Sequence, residues 1–277
     1  MNFSSRIVPN SQEAKIIFTT IVNSPNEDIP IVEMNDTTAR DMDVIWNSIE
    51  DIAKRWRGNS KCHIPTMPED RKEFWGMFAQ KNVPNLPHIV RNFVGSIDGK
   101  GKTAIDLGCG NGGVSEFLLD RGWRVIAVDT SRIALAILKE RCQSQLQSGQ
   151  LSVVEANLAT YTPEEPAELV LAMDVFPYID PKQFRDTWTK VHDLFIKEDG
   201  LFMGTFFRSV NSKREIIHMN MLKEMGAWFL PDRRMVRPLL LHVGYDVKTC
   251  IYRKENDNME PMCIEFVARK ISQTKEI

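Results

Sequence analysis

Ten consecutive residues, Ala104-Ile105-Asp106-Leu107-Gly108-Cys109-Gly110-Asn111-Gly112-Gly113, constrain this chain more than any other stretch. An apolar run reaches Asp106, turns through Gly108 and Gly110, and opens into a helix at Gly112-Gly113. Glycine admits positive φ and lets another group approach the backbone without a Cβ in the way. A helix N-terminus just beyond presents free N–H groups and a partial positive charge. Strand, glycine turn and helix start together make a cradle of nucleotide size.

The surrounding pattern agrees. From Thr103 onward, strand-like apolar runs alternate with helical periodicity. Strands are predicted at 103–107, 124–128, 151–155, 168–173 and 200–207, with helices at 113–121, 131–146 and 181–196. This is the βαβ rhythm of a parallel sheet with helices on both faces. A capping box, Ser212-x-x-Glu215, precedes a helix running to about Met225. Another helical stretch starts at Pro231-Asp232. Within it Pro238 marks either a kink or the true first turn, and Gly244 ends it. Two last strands, Tyr245–Tyr252 and Met262–Ala268, are predicted to form an antiparallel hairpin at the edge of the sheet.

The first hundred residues read differently. Met42, Trp46, Ile49, Ala53 and Trp56 recur at three- and four-residue steps, which predicts an amphipathic helix over 37–57. Phe74, Trp75 and Phe78, then Ile89, Val90, Phe93, Val94 and Ile97, suggest two more. The expected fold is therefore α/β: a doubly wound, mostly parallel seven-stranded sheet with a C-terminal antiparallel hairpin. A mainly helical extension over 1–98 precedes the sheet domain over 99–277.

Composition removes several function classes. The chain has 277 residues, 43% of them hydrophobic and 26% charged, with net charge −2, so no global basic field points to nucleic acid. Five scattered cysteines with no C-x-x-C pair argue against a disulfide framework and a zinc site, and suit a reducing cytoplasm. No run approaches the roughly 18 apolar residues of a membrane helix.

Gly108, Gly110 and Gly113 also satisfy G-x-G-x-x-G, the dinucleotide fingerprint, and Asp129 lies near the distance expected of a ribose-binding acid. Three features separate the alternatives. Asp106 would face the pyrophosphate of a dinucleotide, which is electrostatically poor, whereas it suits the methionine ammonium of S-adenosylmethionine, directly or through water. The fourth strand ends at Met173-Asp174 and adds a second carboxylate to the crevice. The chain then finishes with helix, strand, loop and strand, which a plain dehydrogenase domain does not need.

At this point the sequence resembles the class I S-adenosylmethionine-dependent methyltransferases, over about 103–270 and most densely in AIDLGCGNGGVSEFLLDRGWRVIAVDTS. The resemblance implies S-adenosylmethionine as cofactor and S-adenosylhomocysteine as product. It implies a cofactor site made of Asp106, Gly108, Cys109, Gly110, Asp129, Thr130, Asn157, Leu158 and Asp174. Asp106 and the glycines would surround the methionine portion, and Asp129 would bond both ribose hydroxyls. Asn157 stands where family members usually carry Asp; its side-chain oxygen can still accept from the adenine amino group. The segment Leu171-Ala172-Met173-Asp174-Val175-Phe176-Pro177-Tyr178 is unlike the N-P-P-Tyr type used on nucleic-acid amines. It is closer to the small-molecule branch, which includes tellurite-resistance-like and natural-product enzymes.

Methyl transfer from a sulfonium is an in-line displacement, so alignment does most of the work. The implied activity is transfer to O, N or S of a small molecule, with no nucleic-acid or membrane partner and no metal. Tyr178 and His218 are the candidate acceptor-side residues, and Arg208 and Trp228 lie in or beside the same insertion. No catalytic base is assigned. A protein or RNA acceptor and a non-catalytic relative that keeps the cradle are the alternatives, with a dehydrogenase a distant one. The N-terminal helices are expected to close over the cofactor, with Trp75 and Trp56 as covers. The sequence leaves the oligomeric state open.

Overall fold

The computed structural model describes residues 46, 75–80, 86–207, 227, 229, 231, 233–253 and 263–271. Seven strands form one sheet: β1 (Thr103–Leu107), β2 (Arg124–Asp129), β3 (Leu151–Glu155), β4 (Ala167–Met173), β5 (Ile196–Phe207), β6 (Tyr245–Arg253) and β7 (Cys263–Lys270). Their order is β3-β2-β1-β4-β5-β7-β6. The first five strands are mutually parallel, and β7 runs antiparallel to both β5 and β6. The sheet is thus the predicted mixed, doubly wound one, with β7 inserted between β5 and β6 to complete the hairpin.

Among the described helices, α1 (Gly113–Leu119), α2 (Arg132–Arg141) and α3 (Gln143–Gln147) lie within the first half of the domain. They are followed by α4 (Phe184–Lys190) and α5 (Arg233–His242). The predicted helix over 131–146 is two helices, because Cys142 leaves helical geometry at φ −113° and ψ 38°. The predicted helix over 181–196 is shorter: α4 ends at Lys190, a π-helical turn occupies Val191–Phe195, and β5 already begins at Ile196. Asp199-Gly200 reads as a turn, yet the strand absorbs it: Asp199 takes φ 62° and the β4–β5 register shifts between Ala167 and Leu169. Pro238 sits inside α5 rather than in its first turn, and Gly244, at φ 100°, follows the helix.

A separate apolar core covers each face of the sheet. One gathers Phe176, Phe184, Trp188, Phe202, Phe206 and Phe266 with α4 and α5. Trp188 donates its Nε1 hydrogen to Leu239 O at 3.2 Å, which ties α4 to α5. Trp46 is helical, buried, and set edge-on to Phe184 and His242. The other core joins α1 and α2 to Ile89, Val90 and Val94, so the segment before β1 packs against the sheet rather than beside it. Residues 75–80 are helical. The remainder of the 37–57 stretch, Trp56, the Ser212–Glu215 capping box, Arg208, His218 and Trp228 lie outside the described residues.

Among the described residues, no helix is long and apolar enough to cross a membrane.

Candidate active site

The strand order reverses between β1 and β4, which lie side by side while their connections leave toward opposite edges. In an open α/β sheet the crevice outside the carboxyl ends at such a point receives ligands. Asp106, Gly108, Cys109, Gly110, Asp129 and Asp174 stand at or just beyond the carboxyl ends of β1, β2 and β4.

The loop after β1 is built on two hydrogen-bonded glycines. Gly108 N and Cys109 N both donate to Val128 O, at 2.7 and 3.1 Å, which folds the loop back over β2. Gly108 takes φ +66° and a Cβ there would meet Val175 Cγ2 at 2.5 Å. Gly110 takes φ +54°, and a Cβ there would meet no atom of the described residues within 4 Å. Gly112 N-caps α1 at φ 92°.

Asp129, the last residue of β2, holds this loop. Its Oδ2 accepts from Gly110 N at 2.9 Å and its Oδ1 from Ser131 N at 2.8 Å. These two bonds leave part of the carboxylate's acceptor capacity unused. Burial pushes the carboxyl above its ordinary value, while the backbone donors of Ser131, Gly110 and Thr130 pull it back.

Asp106 sits one layer deeper. Its Cα neighbours are Ala127 on β2 and Leu171 on β4, and only 2% of it is exposed. Ser115 Oγ, from the first turns of α1, donates to its Oδ2 at 2.7 Å. Burial, with a contribution from the Asp129 charge, raises the Asp106 carboxyl from 3.8 to about 7 against the opposing pull of Ser115. Cys109 is buried and its thiol is pushed well up, which leaves it a packed residue without nucleophilic character.

Asp174, just past β4, adopts φ 57°. Its Oδ1 accepts from Thr205 Oγ1 at 2.8 Å, so it does not cap the short 3-10 turn Phe176–Tyr178. Burial, with the Glu265 charge, raises its carboxyl to about 6. Tyr178 packs edge-on against Trp75, centroids 4.9 Å apart. Burial and the Asp174 charge hold its phenol well above the ordinary range, so it is a neutral donor and not a base. Helix 75–80 is fixed over the loop: Asn111 Nδ2 donates to Ala79 O at 3.0 Å, and Gly76 lies against Ile133. Trp75, one of the two expected covers, thus lies against Tyr178.

The loop after β3 carries Asn157 and the buried Leu158. Asn157 Oδ1 accepts from Ala159 N at 2.9 Å, so part of its acceptor capacity serves its own turn. Lys190 Nζ, from α4, donates to Leu158 O, Ala159 O and Tyr161 O at 3.1, 2.8 and 2.8 Å. Sequence reasoning missed Ser115, Thr205, Lys190 and Glu265. Only Glu265 left a signal, a single carboxylate inside the apolar run Ile264–Ala268. Replacing Lys190 with Met removes three charge-assisted bonds and should cost about 2 kcal/mol of stability. Urea unfolding checks this; an unchanged midpoint would mean that the loop holds itself.

The raised carboxyls make a signed pH prediction. Asp106 takes up its proton in the folded state far above its unfolded value, so the stability it contributes is fully present below about pH 4. That contribution is lost as pH rises through about 7, and Asp174 adds a loss of the same sign through about 6. Thermal denaturation of the free protein between pH 4 and 7.5 should show this decline superposed on the rest of the titration. A cationic ligand beside Asp106 should reverse it by releasing a proton, detectable as a dependence of binding enthalpy on buffer ionisation heat.

Sheet order, glycine loop and terminal carboxylates are those of a class I S-adenosylmethionine-dependent methyltransferase domain. Residues 104–200 match the family described as "Methyltransferase domain", whose cofactor is S-adenosylmethionine. The chain is similar to a probable ribosomal RNA small subunit methyltransferase A of Methanospirillum hungatei, 32% identical over 99 residues, or 36% of this chain. It spans only 38% of that relative's length. Solved structures with the same fold include TehB from Haemophilus influenzae, TM-score 0.54 at 14% identity, covering 72% of this chain and 67% of that one. The glycopeptide N-methyltransferase MtfA complexed with sinefungin aligns with TM-score 0.52 at 14% identity, covering 75% and 99%. Magnesium protoporphyrin IX methyltransferase (ChlM) from Synechocystis PCC 6803 aligns with TM-score 0.50 at 16% identity, covering 82% and 96%. At such identities these likenesses concern the fold.

Proposed function

We propose that this chain transfers a methyl group from S-adenosylmethionine to O, N or S of a small-molecule acceptor. The observation that carries this reading is the loop locked between Gly110 N and Asp129 Oδ2, with open space where a Gly110 side chain would stand. The residues present fit the cofactor. Asp129 would receive the ribose hydroxyls with the acceptor capacity that its backbone donors leave, with Thr130 beside it. Gly108, Cys109 and Gly110 offer a backbone that a ligand can approach closely. The buried Asp106 supplies a negative charge for the methionine ammonium, directly or through water, and Asp174 a second one. Asn157 and Leu158 would flank the adenine.

When bound, the cofactor supplies an activated methyl group whose leaving sulfur is already positively charged. The chain's own residues then have to exclude water and hold the acceptor in line. Trp75 packs edge-on against Tyr178, close in sequence to Asp174, and an aromatic wall suits an acceptor of modest size. Tyr178, as a neutral phenol, would donate a hydrogen bond to it.

One observation favours RNA instead, the likeness to a ribosomal-RNA methyltransferase over 99 residues. The net charge of −2 offers no general basic field for such a partner. Incubation with methyl-labelled S-adenosylmethionine and, separately, a small-molecule metabolite extract, total RNA and total protein distinguishes the two. Label should enter the small-molecule fraction. Label confined to RNA or protein would contradict the reading.

A further inference from the structure

Glu265 is out of place by every ordinary rule of a buried strand. It stands on β7, between β5 and β6, among residues Ile264–Ala268 that are all buried, and is itself 4% exposed. A carboxylate in such surroundings is expensive unless it is paired or used. Among the described residues no lysine or arginine forms a direct ion pair with it. Arg253 acts on it through space, and the backbone N–H of Ile89 donates to it.

Its direction follows from the alternation of the strand. Ile264, Phe266 and Ala268 join the aromatic core on one face, and Val267 joins the core on the other. Glu265 therefore looks to the second face, the one roofed by residues 88–94, which agrees with its bond from Ile89. The β5–β7 register sets Glu265 opposite Thr205, and the β4–β5 register sets Thr205 beside Met173. Thr205 Oγ1 in turn donates to Asp174 Oδ1. Asp174, Thr205 and Glu265 thus form a row across three neighbouring strands at the carboxyl end of the sheet. The row starts at the crevice and runs beneath the N-terminal cover.

We propose that Glu265 contacts the methyl acceptor and, together with Asp174, selects an acceptor whose nucleophile is an amine nitrogen. This rests on the methyltransferase reading above and narrows its acceptor. The place where charge develops decides the acceptor. A hydroxyl, thiol or carboxylic acid attacks as, or on the way to, an anion, which two buried carboxylates oppose. An amine attacks through a neutral lone pair and becomes positively charged as the bond forms, and preorganised carboxylates stabilise that charge. Arg253 acts on Glu265 through space and offsets part of the cost of burying that carboxylate.

The step balances. The nitrogen lone pair forms the new C–N bond while the methyl–sulfur bond breaks, and the electron pair of that bond stays on sulfur. The methylated nitrogen, now an ammonium, gives its proton to the Glu265 carboxylate, which passes it to solvent as product leaves. Burial pushes the Glu265 carboxyl up, and a base of raised proton affinity is better matched to this task.

The test uses the full chain with S-adenosylmethionine and a panel of primary and secondary amines, alcohols, thiols and carboxylic acids. S-adenosylhomocysteine formation and a methyl-sized mass gain are followed. Amines should be turned over. Glu265→Gln, which keeps the size of the side chain and an acceptor for Ile89, should lower kcat/KM for the amine at least fiftyfold. Its affinity for S-adenosylhomocysteine should stay within twofold of wild type. Glu265→Asp, which keeps the charge but withdraws it, should give an intermediate loss, a graded response that a purely structural role would not produce. Turnover limited to hydroxyl, thiol or carboxylate acceptors would overturn the proposal. So would no amine turnover by a protein that binds S-adenosylhomocysteine, or a Gln variant within threefold of wild type. A wild-type chain that fails to bind S-adenosylhomocysteine would instead overturn the methyltransferase reading beneath it.

Discussion

Gly110→Val should abolish measurable S-adenosylmethionine binding, a loss of at least a hundredfold, in a protein that still folds. The two halves of this expectation have separate physical grounds. Among the described residues nothing lies within 4 Å of the position a Cβ would take, so the Cβ itself meets no clash there. The backbone, at φ +54°, imposes a left-handed strain of about 1–2 kcal/mol, which a domain of this size tolerates. The side chain then occupies the crevice that the cofactor needs. Gly112→Val provides the contrast. Its Cβ would collide with the buried Leu138 at the N-cap of α1, so it should lose the fold and not merely the ligand. Circular dichroism and calorimetric titration separate the two outcomes. A Gly110 variant that folds and binds normally would place the ligand elsewhere.

Asp129→Ala should weaken S-adenosylmethionine at least tenfold. The carboxylate is held by Gly110 N and Ser131 N, so it reaches the crevice in one orientation. Two ribose hydrogen bonds to a charged acceptor contribute about 1.5–3 kcal/mol each. The alanine also frees Gly110 N, so the loop loses its tether to β2 along with the ribose contact. Asp129→Asn keeps an acceptor toward one amide but sacrifices the charge, and should fall between alanine and wild type. Unchanged affinity in a folded alanine variant would remove Asp129 from the site.

Why the glycine loop, Asp106 and Asp129 could be read from sequence, and Glu265 could not, is a matter of range. The first set is fixed by chain-local geometry. A strand that ends at Leu107 forces the turn at Gly108, and the next parallel strand delivers Asp129 to the same height. Thr205, Lys190 and Glu265 acquire their meaning only from register between distant segments, and periodicity carries no information about register. Helix boundaries failed for a related reason. The 131–146 stretch keeps helical spacing through Cys142, where the backbone breaks. The early start of β5 depends on Asp199 accepting a left-handed conformation within a strand, which favours glycine and is unforeseeable from an Asp-Gly pair that ordinarily marks a turn. Asn157 illustrates the limit of carrying a role over by position, since its oxygen already serves its own turn.

Parallel calorimetric titration of the purified chain with S-adenosylmethionine, S-adenosylhomocysteine and NADH tests the central claim most directly. Micromolar binding of the first two is expected, with proton release on binding S-adenosylmethionine below pH 7, and no binding of NADH. Binding of NADH, or of none of the three, would contradict it.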